Sequence, residues 1–323
     1  MTGGRQKSSS LFKEQGEWRW FERALIVRLD TETGRGEVAV EYDTPPNARA
    51  GPDSSVCFKC GAIEGDKFYT CTSTEVLVYQ LPDFKQVGYV SLPCFNDVHH
   101  VTPTPEGNLL VVSTGLDLVV EVTLQGKLLR EWSAVGEDPW TRFSRETDYR
   151  KVPSTKPYKA HANFVFRLGA DLWVTRSDLK DAVCLTQDRR IAIEIECGHD
   201  GALFGGMIYF TTIDGNIVMV DPKSLQVVNA IDLKTIDNEG GTALGFCRGV
   251  LPLDQGRAWV GFTRLRQTKF KEKVAWVKQG LREHRRPTHV ALYDLAAKKC
   301  LKEINLEEYG MNAVFSILTE ASP

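Results

Sequence analysis

The sequence predicts an all-β chain closed into a six-bladed β-propeller. The first observation is a degenerate repeat. Cys57, His100, His161, His199 and Cys247 each precede a glycine, Gly65, Gly107, Gly169, Gly206 and Gly256, by about seven to nine residues. Each glycine opens an apolar or aromatic run: DKFYTCT, NLLVVST, ADLWVTR, MIYFTT and RAWVGFTR. The second is the period. The five anchors lie about 43, 61, 38 and 48 residues apart, close to the length of a blade of four short strands. The third is alternation of apolar and polar residues over short spans, the mark of half-buried antiparallel strands.

Taken in order, the five internal blades fall at roughly 54–92, 96–134, 160–195, 199–234 and 245–306. Asp214-Gly215 between apolar alternations is a hairpin turn signal, and Gln125-Gly126 and Leu81-Pro82-Asp83 punctuate two other blades. A sixth blade is assembled from both ends. ALIVRLD and GEVAVEY come from the N-terminal region and NAVFSILTE from the C-terminal one. Splicing them into one sheet closes the ring and removes exposed edges. Residues 1–15, polar and without periodicity, are expected to be a disordered tail, and 16–323 a single propeller domain.

Two stretches interrupt the repeat. Residues 135–159 carry Trp140, Phe143, Tyr149 and Tyr158 and lead into His161. Residues 265–289 contain a basic amphipathic run with Val274, Val277 and Leu281 on one side. Both lie toward the face where the first strands begin, as a lid or as packed surface excursions.

A net charge of −2 and a pI near 6.3 give no reason to expect nucleic acid as a partner. No run approaches the length of a membrane helix, and MTGGRQKSSSLFKEQGE lacks the apolar centre of a secretory signal. Eight scattered cysteines without such a signal read as reduced thiols, so the expected location is the cytoplasm.

Function is sought on the axis. His100, His161 and His199 take equivalent places in three consecutive blades, and first strands lie nearest the centre of a propeller. Three imidazoles with an open position form a catalytic metal arrangement. Cys57 and Cys247 occupy the same ring in the flanking blades and are further candidate ligands; His99 is an alternative to His100 because neighbouring strand residues face opposite sides. A divalent transition metal is expected, zinc first, with iron or copper open. Asp200 and Arg248 follow two of the anchors and are the candidate catalytic side chains. Arg176 and Arg264 end second strands, in WVTRS and GFTRLR, and are candidates for holding an anionic substrate. The alternative for each arginine is an ion pair between blades. Cys57-Phe-Lys-Cys60 is a CxxC without a second ligand pair.

The repeat pattern resembles the six-bladed NHL and SMP-30/gluconolactonase-like propellers. The histidine ring at His100, His161 and His199 is similar to that of the peptidylglycine amidating lyase domain, a resemblance that implies zinc held by these residues. Gluconolactonase-like members use mainly carboxylate and Asn ligands, and Asn312 is the one residue here that would answer to them. The expected function is a metal-dependent enzyme, a lyase, hydrolase or oxidase, acting on a small anionic or carbonyl-bearing substrate at the central mouth. The alternative is a non-catalytic propeller scaffold for protein–protein interaction.

Overall fold

The computed structural model describes residues 1–7, 20–237, 243–265 and 286–320. These form six four-stranded antiparallel sheets. Among the described residues the only helical elements are three-residue 3₁₀ turns. Blades one to five span 62–90, 98–133, 162–192, 198–232 and 246–305, within a few residues of the expected boundaries. Their innermost strands are Ala62–Glu64, Val98–Pro103, Ala162–Leu168, Gly198–Phe204 and Phe246–Leu253. These strands pack against one another around the axis.

The second strand of each blade explains the repeated apolar runs. It is buried on both faces, so alternate residues serve two different cores. In blade two, Leu109 and Val111 pack toward Val76 and Val78 of blade one, while Leu110 and Val112 pack toward Val165 and Val174 of blade three. Trp173 and Phe210 fill the next junction, and Cys247, Phe262 and Tyr293 the one after it. The fold is therefore held by cores between blades, and the axis is left to polar side chains.

The sixth sheet joins both ends of the chain, in the order Ala313–Ser316, Thr2–Gln6, Phe21–Leu29, Gly36–Tyr42. Its second strand corrects the expectation of a disordered stretch from residue 1 to 15. Thr2–Gln6 is a strand whose first three residues are buried, paired with Ala24–Ile26 on one side and Ala313–Ser316 on the other. The reason is steric. A Cβ at Gly3 would collide with the Ala313 carbonyl, and one at Gly4 would lie 2.8 Å from the Cys57 Cβ. Only glycines let this strand pass between its neighbours, and glycines carry no apolar alternation to read.

Residues 135–159 pack over the face where the inner strands begin. Asn96 Nδ2 donates to the carbonyls of Tyr149 and Val152, both at 2.8 Å. The buried Asp117 carboxylate then accepts the backbone N–H groups of Lys159, Ala160 and His161 at 2.8–3.1 Å. Of the other interruption, expected at 265–289, residues 266–285 with the basic run lie outside the described residues, and His289 begins a strand of blade five.

Candidate functional site on the propeller axis

Each inner strand of blades two to five is bulged near its start. The pairing with the second strand shifts between Val98 and His100, Ala162 and Phe164, Asp200 and Ala202, and Cys247 and Val250. A bulge re-aims the side chains beside it. Asp97 and His161, each two residues before the bulged position, both adopt left-handed backbone with φ near +50°. Asp200 does so at φ 64°.

The bulge decides between the adjacent histidines of blade two. His100 turns into the wall between blades. Its ring stacks on Phe164 with centroids 3.8 Å apart, its Nδ1 accepts the Val165 N–H at 3.1 Å, and it also bonds the Gly61 backbone. Burial pushes its pKa down to about 3, against those two hydrogen bonds. His100 thus ties the inner strands of three blades together and is withdrawn from the axis. His99 takes its place. The His99 ring meets His161 edge-on at 5.3 Å between centroids, and His161 meets His199 edge-on at 6.5 Å.

Two of these imidazoles are oriented from behind. His99 Nδ1 lies 2.7 Å from the Asp97 carbonyl, and His161 Nδ1 lies 3.4 Å from an Asp178 carboxylate oxygen. A ring nitrogen fixed this way commits the other, Nε2, to whatever occupies the centre. His161 Nε2 is buried with no hydrogen-bond partner among the described residues. Tyr158, at the end of the 135–159 segment, packs edge-on against His161 at 5.3 Å and donates its hydroxyl to Asp97 Oδ2 at 2.6 Å. The interruption therefore reaches the axis and contributes to the site.

Charge on the axis is closely balanced. The buried Lys59 ammonium pairs with Asp97 and lies 3.4 Å from His99 Nδ1. Burial alone would raise the Asp97 pKa. The Lys59 charge, the neighbouring His99 and the hydrogen bonds from Lys59 and Tyr158 outweigh it and hold Asp97 well below the usual carboxylate range. His99 is pushed well below the usual histidine range, by burial first and then by Lys59. The shift favours the neutral imidazole, the form that binds metals. Burial raises the Asp200 pKa to about 6, against hydrogen bonds from Thr211 and Gly249 and the nearby Arg248 charge.

The other residues singled out from the sequence fall elsewhere. Cys57 packs with Trp20, Phe21, Ala313 and Phe315. Cys247 belongs to the core between blades four and five, and burial, then Asp200, pushes its thiol pKa well above the ordinary value. Both cysteines pack into apolar clusters and leave the ring. Arg176 grips Asp181 with two hydrogen bonds, at 2.8 and 2.6 Å, and the Ala134 carbonyl with a third. Arg264 pairs with Glu307 at 3.1 Å and with the Gln6 side chain. The ion pairs of both arginines lie within blades three and five rather than between blades, and only the bonds to the Ala134 carbonyl and the Gln6 side chain cross to a neighbouring blade. Asn312 Oδ1 accepts the Gln6 N–H at 2.9 Å and secures the closing blade. Lys59 and Asp117 were not apparent from the sequence, and Tyr158 was apparent only as part of the 135–159 interruption. Each lies outside the repeated anchor positions, and only the fold brings it to the axis.

Among the described residues no three His, Cys, Asp or Glu side chains stand together as a formed metal centre. Two imidazoles on one tetrahedral ion, with metal–nitrogen bonds of about 2.0–2.1 Å, place their ring centroids about 5 Å apart. The His99–His161 spacing of 5.3 Å meets that value and the His161–His199 spacing of 6.5 Å exceeds it. His199 would have to move inward by about 1 Å to share an ion.

No family model matches the sequence, and no curated protein matches it. Solved structures do. A protein of unknown function from Bacteroides caccae aligns over 98% of this chain and 97% of its own, with a TM-score of 0.62 at 13% identity. The WD40 β-propeller domain of Doa1 aligns over 91% of this chain and 79% of its own, with a TM-score of 0.51 at 10% identity. These likenesses show the propeller fold, and function rests on the site itself. Among the described residues no helix is long and apolar enough to cross a membrane.

Proposed function

We propose that the protein is a metal-dependent enzyme acting on a small anionic or carbonyl-bearing substrate at the axial mouth, with His99, His161 and His199 as the metal ligands. The observation that carries this reading is the orientation of the imidazoles. His99 and His161 have Nδ1 engaged by the protein, and His161 Nε2 is buried without a partner among the described residues. An unsatisfied buried nitrogen is costly unless something else fills the site. Zinc is the first choice because it takes neutral imidazoles without redox demands. When bound it would polarise a substrate oxygen or activate water. Tyr158 and Asp200 are the side chains beside the ligands that are equipped to hold or move a proton. The eight cysteines are free thiols, which fits the cytoplasm as the working compartment.

Elemental analysis and Co(II) titration of the purified protein test the reading. One equivalent of metal is expected in the wild type and in His100→Ala, and none in His99→Ala or His161→Ala. A wild-type protein that binds no metal, or His99→Ala and His161→Ala variants that bind it unchanged, would overturn the enzyme reading and leave a propeller scaffold.

A further inference from the structure

We propose that Arg248 is the anchor for a carboxylate group of the axial ligand. The inference rests on the axial site just described and deepens it by naming the group that is recognised and the residue that grips it. Arg248 lies inside the bulge of the blade-five inner strand, between Cys247 and Val250. Its guanidinium carbon stands 5.0 Å over the Phe315 ring, on the inner strand of the closing blade. That stacking fixes the plane of the fork and leaves its edge for a ligand. Its Nε is buried and has no hydrogen-bond partner among the described residues. In the same set of residues Arg248 forms no ion pair, in contrast to Arg176 and Arg264, which are both paired. Arg248 is half-buried, and its buried Nε, a donor left unused, is unfavourable unless an acceptor completes it. The next residue, Gly249, donates its N–H to Asp200 Oδ2 at 3.1 Å, which places Arg248 beside the residue that follows His199.

The charges on the axis select the class of anion. Lys59 is already paired with Asp97, whereas Arg248 has a positive charge with no ion pair among the described residues. Asp97 and Asp200 also face this region and oppose added negative charge. One planar fork and one free charge match a carboxylate, whose two oxygens accept parallel N–H bonds. A phosphate dianion brings a second charge for which the site has no counterpart.

Binding of acetate, glycolate and pyruvate, with inorganic phosphate as the competing anion, is measured by calorimetry on the full-length protein, with and without zinc. At least one carboxylate should bind, more tightly than phosphate. Arg248→Met, which retains the apolar contact with Phe315, should weaken it about a hundredfold. Arg248→Lys, which keeps the charge and loses the fork, should recover only part of that loss. Zinc content and melting temperature should be those of the wild type in both variants. Carboxylate binding that is unchanged in Arg248→Met overturns the inference, as does tighter binding of phosphate, or no binding of any of the three carboxylates. A wild type that binds no zinc but still loses carboxylate affinity in Arg248→Met would sink the metal reading and leave this one standing.

Discussion

Replacing Asp200 with Asn should make the protein relatively more stable as pH rises. The residue is 4% exposed, and its Oδ2 accepts from the Thr211 hydroxyl at 2.6 Å and the Gly249 N–H at 3.1 Å. Those two bonds do not offset burial, and the pKa stands at about 6 against 3.8 in the unfolded chain. The folded state therefore holds this proton more tightly than the unfolded state does. Below pH 3.8 both states are protonated and ionisation costs nothing. Between about 4 and 6 stability falls as pH rises, and above 6 the full cost is present. Two pKa units correspond to about 3 kcal/mol. Asn has nearly the same shape and its carbonyl can accept the same two donors. Its NH₂ group brings a hydrogen-bonding need of about 1–3 kcal/mol, but that penalty does not change with pH. The stability difference between Asp200→Asn and wild type should therefore shift by about 2.5 kcal/mol in favour of Asn between pH 4 and pH 7.5. Urea unfolding followed by tryptophan fluorescence, with chelator present so that metal does not titrate alongside, measures it. A difference that is the same at both pH values, or that favours Asp at pH 7.5, would show that Arg248 stabilises the carboxylate after all. It would also remove the case for Asp200 as a proton-carrying group held at a cost to stability.

Arg176→Met should destabilise the fold by about 3 kcal/mol, because it leaves the buried Asp181 carboxylate with Arg190 as its remaining cationic partner; carboxylate binding should be unaffected, which calorimetry checks. Asp117→Ala removes the acceptor for three consecutive N–H groups up to His161 and the partner of Arg142. It should lower stability by about 2–3 kcal/mol and weaken metal binding at least about tenfold. Metal affinity that survives while stability falls would separate the strap at 159–161 from the placement of His161.

Strand alternation made the blades legible, because each middle strand must be apolar on both faces to serve two cores, as Leu109 to Val112 do. Closure of the ring from both ends was legible for the same reason. Thr2–Gln6 was not, since its fit depends on the absence of side chains at Gly3 and Gly4. The site was legible as a place rather than as a list of residues. His161 and His199 lie on the axis at matching positions before their bulges. The equivalent position in blade two is Asp97, and the imidazole arrives two residues later from the bulged His99. Spacing from the following glycine assumes an unbroken period of two, and one inserted residue reverses every assignment on its N-terminal side. The same reversal sends His100 into the wall between blades. A cation at Lys59 becomes necessary because the Asp97 carboxylate stands where a third matching imidazole would be. The departure from symmetry therefore has a consequence for chemistry. Blade one contributes Lys59, blade two its partner Asp97 and a displaced imidazole, blades three and four contribute one imidazole each, and blade five contributes Arg248.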